Sequence, residues 1–381
     1  MIYTGFIMDQ GEIRNTKKGD NVMISENYLQ MVKQAQYQLR GHKTKSMKDE
    51  MAIFNTLKDC QMPDVYGKGE VIEAFQNTLS KEFNKQSAVF FPSGTMAQQI
   101  ALRIWCDQKG LMCVAYHPLC HLEIHEQDGI KELHHIDTVL LGEKDHLFTI
   151  DDLKNMKDVA AVLFELPQRE IGGQLPSWNE LIEMTAYCKE RGIRTHLDGA
   201  RLYECLPYYQ KTPSEVGELF DSIYISFYKG FGSITGAMLI GDEEIIREAK
   251  IWKRRLGGDL YHLYPYIVPA ADLFAKRKGK MAEYYEYAKA YALKLSSIKG
   301  ISIHPTIPVS NMFHVHFNDT AERVMTQMID VMKMEGVALF GGINATAEGF
   351  AKTEISIGDN YGLIEESIID KAIERLRIIR S

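Results

Sequence analysis

The sequence has few cysteines, and none are closely paired. The six cysteines among 381 residues include no Cys-x-x-Cys spacing, so the pattern indicates neither a disulfide framework nor a common structural zinc site. They are Cys60, Cys106, Cys113, Cys120, Cys188 and Cys205. Scattered single cysteines are typical of free thiols in a reducing compartment. We therefore expect a cytoplasmic protein.

Long apolar stretches and an excess of positive charge are also absent. No segment reaches the roughly 18 apolar residues of a transmembrane helix. Residues 1–10 lack the basic start and apolar run of a signal peptide. The formal net charge is −7, which disfavours binding of nucleic acid through a basic surface. We expect neither a membrane nor a nucleic acid as a partner.

The sequence does contain strand-like and helix-like segments in alternation. Short apolar segments end near Phe91, Glu165, Leu197 and Ser226, and helical patterns lie between them. The segment 160–164 is apolar without alternation, as in a strand buried on both faces. This order predicts an α/β fold with a largely parallel sheet covered by helices.

The patterns suggest three regions along the chain. We predict an N-terminal extension over residues 1–60, a large domain over residues 61–270 and a small α+β domain over residues 271–381. In the first region, residues 25–40 have the spacing of one helix. In the last, residues 272–298 have the spacing of a long helix.

One lysine stands in a setting that suits covalent chemistry. Lys229 follows the strand-like segment that ends at Ser226, and glycines follow it at positions 230 and 232. Glycines let the backbone turn tightly beside a ligand. An ordinary exposed loop lysine is the simpler interpretation of this motif when it is taken alone.

An acidic and a basic residue follow the preceding strand. Asp198 lies at the carboxyl end of a strand-like segment, where open α/β sheets bind ligands. A helix N-cap is its alternative role. Arg201 follows three residues later and could meet a carboxylate or a phenolate oxygen.

Two further motifs complete the candidate site. Ser93, Gly94 and Thr95 lie between a strand and a helix, where backbone N–H groups can cradle a phosphate, although simple capping by Ser93 is equally consistent. His121 could stack on a ring and accept a proton. A core or surface role is its alternative. A metal cluster is a weaker alternative, since the spacing matches no structural zinc pattern. Its candidates would be Cys113, His117, Cys120, His121, His125, His134 and His135.

Together these residues match what pyridoxal 5′-phosphate (PLP) requires. PLP needs an amine for a Schiff base, an anion at its pyridine nitrogen, a phosphate cradle and a group on the ring face. Lys229, Asp198, the segment 93–95 and His121 supply one candidate for each requirement.

In this order the motifs resemble the threonine aldolase and β-eliminating lyase family, PLP enzymes of fold type I. The resemblance is good over about residues 60–270. Its matching strings are Asp64-Val-Tyr-Gly67, Phe91-Pro-Ser-Gly-Thr-Met96, His121, His196-Leu-Asp-Gly-Ala-Arg-Leu202, Lys229-Gly-Phe-Gly232 with Gly236, and Leu256-Gly-Gly258.

The resemblance implies a fold, a reaction and an assembly. The fold would be of the aspartate aminotransferase type, with a large PLP domain and a small C-terminal domain. The reaction would cleave a threonine-like β-hydroxy-α-amino acid into glycine and an aldehyde, with Lys229, His121 and Asp198 as catalytic residues. The active site would be shared in a homodimer or homotetramer. The cofactor would contact Ser93, Gly94, Thr95, His121, Asp198, Arg201, Ser226, Lys229 and Arg254, and Tyr66 would reach the neighbouring subunit's substrate.

The chain departs from the family pattern where the substrate carboxylate would bind. An arginine expected near the C-terminus is absent from Glu354-Ile-Ser-Ile357, and the family's Ser-Asp-x-Thr string is absent from the N-terminal segment. Arg169 instead stands in Glu165-Leu-Pro-Gln-Arg169. We expect Arg169 and Arg201 to bind the substrate in place of the lost arginine.

Two other activities are consistent with the same residues. A β-eliminating lyase or an aminotransferase could use the same lysine and carboxylate. A non-catalytic protein could keep the fold, but the four filled cofactor positions disfavour it.

Overall fold

The structure is a computed structural model that describes the backbone of residues 18–381 and the side chains of residues 25–381. Residues 1–17 of the predicted N-terminal extension lie outside the described residues, and so does the stretch 1–10 that lacks the pattern of a signal peptide. Along the described chain the helices are α1 (Lys18–Gln34), α2 (Met47–Met51), α3 (Glu70–Glu82), α4 (Gly94–Lys109), α5 (His121–Ile124), α6 (Gly129–His134), α7 (Ile150–Asn155), α8 (Trp178–Glu190), α9 (Leu202–Tyr209), α10 (Pro213–Gly217), α11 (Glu243–Arg255), α12 (Tyr264–Arg277), α13 (Met281–Ser296), α14 (Ala321–Glu335), α15 (Asp359–Gly362) and α16 (Glu366–Arg380).

The strands form one large sheet and two smaller ones. They are β1 (Tyr37–Gln38), β2 (Ser87–Phe91), β3 (Cys113–Tyr116), β4 (Asp137–Leu140), β5 (Ala161–Glu165), β6 (Arg194–Gly199), β7 (Ser222–Ser226), β8 (Ala237–Gly241), β9 (Ile301–His304), β10 (Met312–Phe317), β11 (Val337–Ala338), β12 (Asn344–Ala345) and β13 (Ala351–Ser356).

The large sheet has seven strands in the order β2-β8-β7-β6-β5-β3-β4. Strands β7, β6, β5, β3 and β4 pair in parallel, and β8 runs antiparallel to both of its neighbours. Every residue of β7 and β8 is buried, which fits a sheet covered by helices on both faces. The predicted α/β architecture with a mostly parallel sheet is therefore confirmed.

The C-terminal part contains a separate antiparallel sheet in the order β12-β13-β10-β9. Strand β13 alternates buried and partly exposed residues, as one covered face requires. This sheet, with α14 and α16 beside it, is the predicted small α+β unit. The boundaries at residues 60 and 270 stay predictions.

Two predicted helices have different bounds in the structure. The helix predicted over residues 25–40 ends at Gln34. The residues after it leave the helix because the backbone of β1 pairs in parallel with β11 and the side chain of Leu39 is buried. The long helix predicted over residues 272–298 is interrupted by a 3₁₀ turn at Lys278–Lys280. Gly279 lies in that turn, and glycine disfavours a helix interior by about 1 kcal/mol.

Candidate active site

The predicted catalytic residues lie where neighbouring parallel strands of the large sheet end. Glu165 closes β5, and its partner across the strand pair is Asp198 near the end of β6. Lys229 follows β7, and His121 opens the helix after β3. Because parallel strands present their carboxyl ends at the same edge, residues far apart in sequence meet there.

These side chains line one small cavity at the carboxyl edge of the sheet. The structure thus brings five of the predicted site residues together. They are His121, Arg169, Asp198, Arg201 and Lys229. Lys229 and Arg201 also line a larger open cleft, so these two residues stand where the cavity and the cleft meet.

The loop that carries Lys229 is fixed by close backbone contacts. A Cβ at position 230 would overlap the Glu204 carboxylate, and Gly232 has φ +65°, so both glycines are required. The carbonyl of Gly230 accepts a hydrogen bond from His42 Nε2 at 2.8 Å. The loop therefore holds the lysine at a defined position beside the cavity.

Asp198 is buried, with 1% of its surface exposed, and its Oδ1 accepts the N–H of Ala200 at 3.0 Å. Glu165 lies beside it and accepts the N–H groups of His121 and Arg169, both at 3.4 Å. Burial, followed by the charge of Asp198, raises the pKa of Glu165 to about 8. Glu165 is therefore largely protonated at neutral pH.

His121 is oriented by a buried carboxylate that the sequence reasoning missed. Its Nδ1 lies 3.0 Å from Glu126 Oε1, and Gln99 Nε2 donates to the other oxygen of Glu126 at 2.8 Å. The Glu126 side chain is only 1% exposed. Because Nδ1 donates its proton to the carboxylate, Nε2 of His121 remains free to accept one.

Arg169, which was expected to bind the substrate, forms ion pairs with two carboxylates of the protein. Arg169 contacts Glu354 and Glu170, each at 2.7 Å. Arg201 Nη2 lies 3.9 Å from Glu354. Burial alone would raise the pKa of Glu354, but Arg201 and Arg169 lower it. The Arg169 guanidinium is therefore already neutralised by two carboxylates, and it can bind a further anion only if one of them moves away.

The Glu170 carboxylate extends this ion pairing to the far side of the cavity. Its Oε1 also meets His125 Nε2 at 3.0 Å. Burial would raise the pKa of Glu170, but the hydrogen bond from His125 and the charge of Arg169 lower it to about 2. The ionised groups on this wall are therefore already paired with one another.

The proposed phosphate cradle has a partly structural role. Ser93 Oγ accepts the N–H of Met96 at 3.3 Å and so caps α4. A Cβ at Gly94 would overlap the ring of Tyr224 on β7, so this glycine lets the sheet approach the helix. Thr95 lies in the first turn of α4, where backbone N–H groups have no partner within the helix.

Two buried donors near these strand ends lack a partner within the described residues. They are Ser226 Oγ and Arg201 Nε. Buried polar groups are nearly always hydrogen-bonded, so unpaired donors beside a lysine and a carboxylate indicate a site for an anionic group. These residues fit PLP, whose phosphate and phenolate oxygens are acceptors.

Tyr66 and Arg254 lie together at the surface, and neither lines the cavity or the cleft. The Arg254 guanidinium stands over the Tyr66 ring at 5.1 Å and pairs with Asp259 at 3.1 Å. Their role toward a neighbouring subunit stays a prediction.

Comparison with known proteins identifies the family. The family described as Beta-eliminating lyase matches residues 41–318, which is most of the chain. The chain belongs to the beta-eliminating lyase family. The predicted family is thereby confirmed, and both this family and its fold are PLP-dependent.

Individual relatives agree with this beta-eliminating lyase assignment. Low-specificity L-threonine aldolase 1 of Arabidopsis thaliana is 24% identical over 73% of this chain and 81% of its own length. A Listeria monocytogenes crystal structure with the provisional name L-allo-threonine aldolase is 47% identical, with a TM-score of 0.91 over 93% of this chain and 99% of that chain.

A distant structure extends the fold comparison. Serine palmitoyltransferase of Sphingomonas wittichii has a TM-score of 0.59 at 15% identity, over 95% of this chain and 84% of its own, so it is similar in fold alone. The beta-eliminating lyase chain therefore has the predicted fold type I architecture.

No group of three or more histidine, cysteine, aspartate or glutamate side chains in the described part of the chain is placed to hold a metal ion. No helix among residues 18–381 is long and apolar enough to cross a membrane.

Proposed function

We propose that the protein is a PLP-dependent aldolase that cleaves β-hydroxy-α-amino acids, such as threonine, into glycine and an aldehyde. The observation that carries the proposal is the meeting of Lys229, Asp198 and a carboxylate-oriented His121 in one cavity. The names of the Arabidopsis and Listeria relatives support it.

Residues of the cavity, together with residues 93–95 and Ser226 outside its lining, would hold the cofactor. Lys229 would carry it, Asp198 would pair with the protonated pyridine nitrogen, and Arg201 Nε would meet an oxygen of the ring. Ser93, Gly94, Thr95 and Ser226 would bind the phosphate. When bound, PLP supplies an electron sink for the pair released at Cα.

His121 is the proposed base. Glu126 fixes Nδ1 as the donor, so Nε2 can take the proton of the substrate's β-hydroxyl group as the Cα–Cβ bond breaks. Stacking of the imidazole on the cofactor ring would be compatible with this role. A positioned base of this kind typically contributes about 10²-fold to 10⁴-fold in rate.

The substrate carboxylate sets which bond breaks, because the reacting bond must stand perpendicular to the cofactor ring. Arg201 is the proposed carboxylate-binding residue of the cavity through its terminal Nη groups, because Nη2 lies 3.9 Å from Glu354, too far for a hydrogen bond, and Nε is left for the cofactor. Arg169 would assist only after releasing Glu354 or Glu170, which it contacts in the structure.

The assembly and the compartment are proposals of the same kind. A homodimer or homotetramer would bring Tyr66 and Arg254 of one subunit to the active site of its neighbour. Both residues are exposed, which leaves them available for that contact. A cytoplasmic location would suit the six cysteines, which are all free thiols.

Product analysis tests the reaction. Purified protein with PLP is incubated with a panel of β-hydroxy-α-amino acids, and glycine, aldehyde, ammonia and 2-oxo acids are measured. We expect glycine and an aldehyde in equal amounts. Ammonia with a 2-oxo acid would instead indicate a β-eliminating lyase, and transfer of the amino group to an added 2-oxo acid would indicate an aminotransferase. No product from any substrate would indicate a non-catalytic protein.

A further inference from the structure

We infer that Arg40, together with Arg201, binds the carboxylate of the amino acid substrate. The inference rests on the proposed function, and it assigns a role to the N-terminal segment. That segment was expected to be an extension outside the large domain. In the structure, its residues 40–45 form one side of the cleft that Lys229 and Arg201 also line.

The backbone of Arg40 is held firmly, although its side chain is exposed. Leu39, the preceding residue, is 1% exposed, and its N–H donates to the carbonyl of Ala338. The Arg40 carbonyl accepts a hydrogen bond from Asn360 Nδ2 at 2.9 Å. On the other side, Gly41 donates to the carbonyl of Ser356 at 2.8 Å. Anchoring of this kind reduces the entropy lost when the guanidinium binds a ligand.

Arg40 lies beside the place where the expected arginine is missing. Its backbone forms a bridge with Ile357, and Ser356, which occupies the position of that arginine, lines the same cleft. A Cβ at Gly341 would lie 2.9 Å from Arg40 Nη1, so the guanidinium lies directly against a residue without a side chain. Arg40 therefore supplies a cation beside Ser356, the position at which the expected arginine is missing.

The charges around the two arginines differ. Arg169 is occupied by two carboxylates, whereas Arg40 has no carboxylate within 4.0 Å among the described residues. Within residues 25–381, the cleft is lined by seven lysines and arginines and by one carboxylate, that of Glu50. An anion entering this cleft meets a free guanidinium without having to displace an internal partner.

Ligand binding tests the assignment independently of turnover. The protein with PLP bound is titrated with glycine, which keeps the carboxylate, and with ethanolamine, which lacks it, and the change in cofactor absorbance gives each Kd. We expect Arg40→Ala to raise the Kd for glycine about 10-fold to 100-fold, as loss of a charge-assisted hydrogen bond does. The Kd for ethanolamine should change less than twofold, and Arg40→Lys should restore part of the glycine affinity.

Lys43→Ala provides the matched control, since Lys43 is an exposed cation of the same segment and the same cleft. The inference is overturned if Arg40→Ala binds glycine as the unmodified protein does, if Lys43→Ala loses as much affinity, or if ethanolamine weakens in parallel. It also fails if the unmodified protein does not bind glycine. If the protein binds glycine but forms no aldehyde from any β-hydroxy-α-amino acid, the proposed reaction is rejected. The glycine affinities of Arg40→Ala and Lys43→Ala would still decide this inference.

Discussion

The cavity and the cleft meet at Lys229, and they differ in whether their charged side chains are paired. On the cavity side, Glu126 holds His121 and Glu354 holds Arg169. On the cleft side, Arg40 meets no carboxylate among the described residues. Paired groups are held in fixed orientations, whereas an unpaired cation is available to an incoming anion. The difference suggests that the cavity performs the chemistry and the cleft admits and aligns the substrate.

The largest expected effect comes from removing the lysine that joins the two spaces. Lys229→Ala should lower kcat about 10³-fold or more, because no other amine from the described side chains lines the cavity. It should also abolish the absorption band of the bound cofactor. The assay is glycine release together with an absorbance spectrum. Lys45→Ala, which removes a cation from the cleft alone, should retain the band, and loss of the band in both variants would contradict the assignment.

The crowded carboxylates of the cavity should make stability depend on pH. The pKa of Glu165 is raised in the folded protein to about 8, so the folded state holds a proton that the unfolded state releases near pH 4.5. Its contribution to stability is thus complete below pH 4.5 and is lost as pH rises through about 8. Between pH 5 and pH 8 the loss should approach about 3 kcal/mol.

Urea unfolding of the cofactor-free protein at both pH values measures this loss. Glu165→Gln keeps an amide in place of the protonated carboxyl, so its unfolding free energy should fall less over the same range. Equal pH dependence in the two proteins would show that Glu165 does not carry the effect.

A smaller effect is expected from the carboxylate behind the proposed base. Glu126→Gln should lower kcat about 10-fold to 100-fold with little change in KM, because the histidine loses the group that fixes its tautomer. It should also shift the pH profile of kcat. Glu132→Gln, an exposed change on the neighbouring helix, is the control. An unchanged pH profile in Glu126→Gln would argue against an orienting role.

The smallest effect is expected at Arg169, whose guanidinium is already paired with two carboxylates. Arg169→Ala should raise KM no more than about fivefold, because Arg169 can bind the substrate only by giving up a partly exposed ion pair worth about 1 kcal/mol. Steady-state kinetics with the best β-hydroxy amino acid measures it. A rise of 100-fold would restore Arg169 as the main carboxylate-binding residue, and no change in KM or kcat would remove it from the site altogether.

Local patterns were enough to predict the framework of this site. The apolar segments ending at Glu165 and Ser226 are strands, and the glycine-flanked Lys229 lies at a sheet edge as expected. Such features are encoded within a few residues. The parallel order of the strands follows from the alternation with helices, which leaves few other arrangements.

The missed residues depend on contacts between distant segments. Glu126 reaches His121 through a short turn that carries no motif, and Gln99 belongs to a different helix. Arg40 is separated from Lys229 by nearly half the chain, and the pairing of β1 with β11 together with the bridge to Ile357 brings it to the cleft. The charge on Arg169 was visible in sequence, but its two acidic partners were not.

One imidazole has a consequence for how the protein acquires its function. His42 donates to the carbonyl of Gly230 from Nε2 and accepts the N–H of Asp359 at Nδ1, at 2.8 and 3.2 Å. It therefore ties together three segments that synthesis produces far apart in time. A nascent chain that stops short of residue 359 lacks one of the two hydrogen bonds that seat His42 against the lysine loop. The hydrogen bonds that seat His42 against the lysine loop can therefore be complete only once the segment with residue 359 is present.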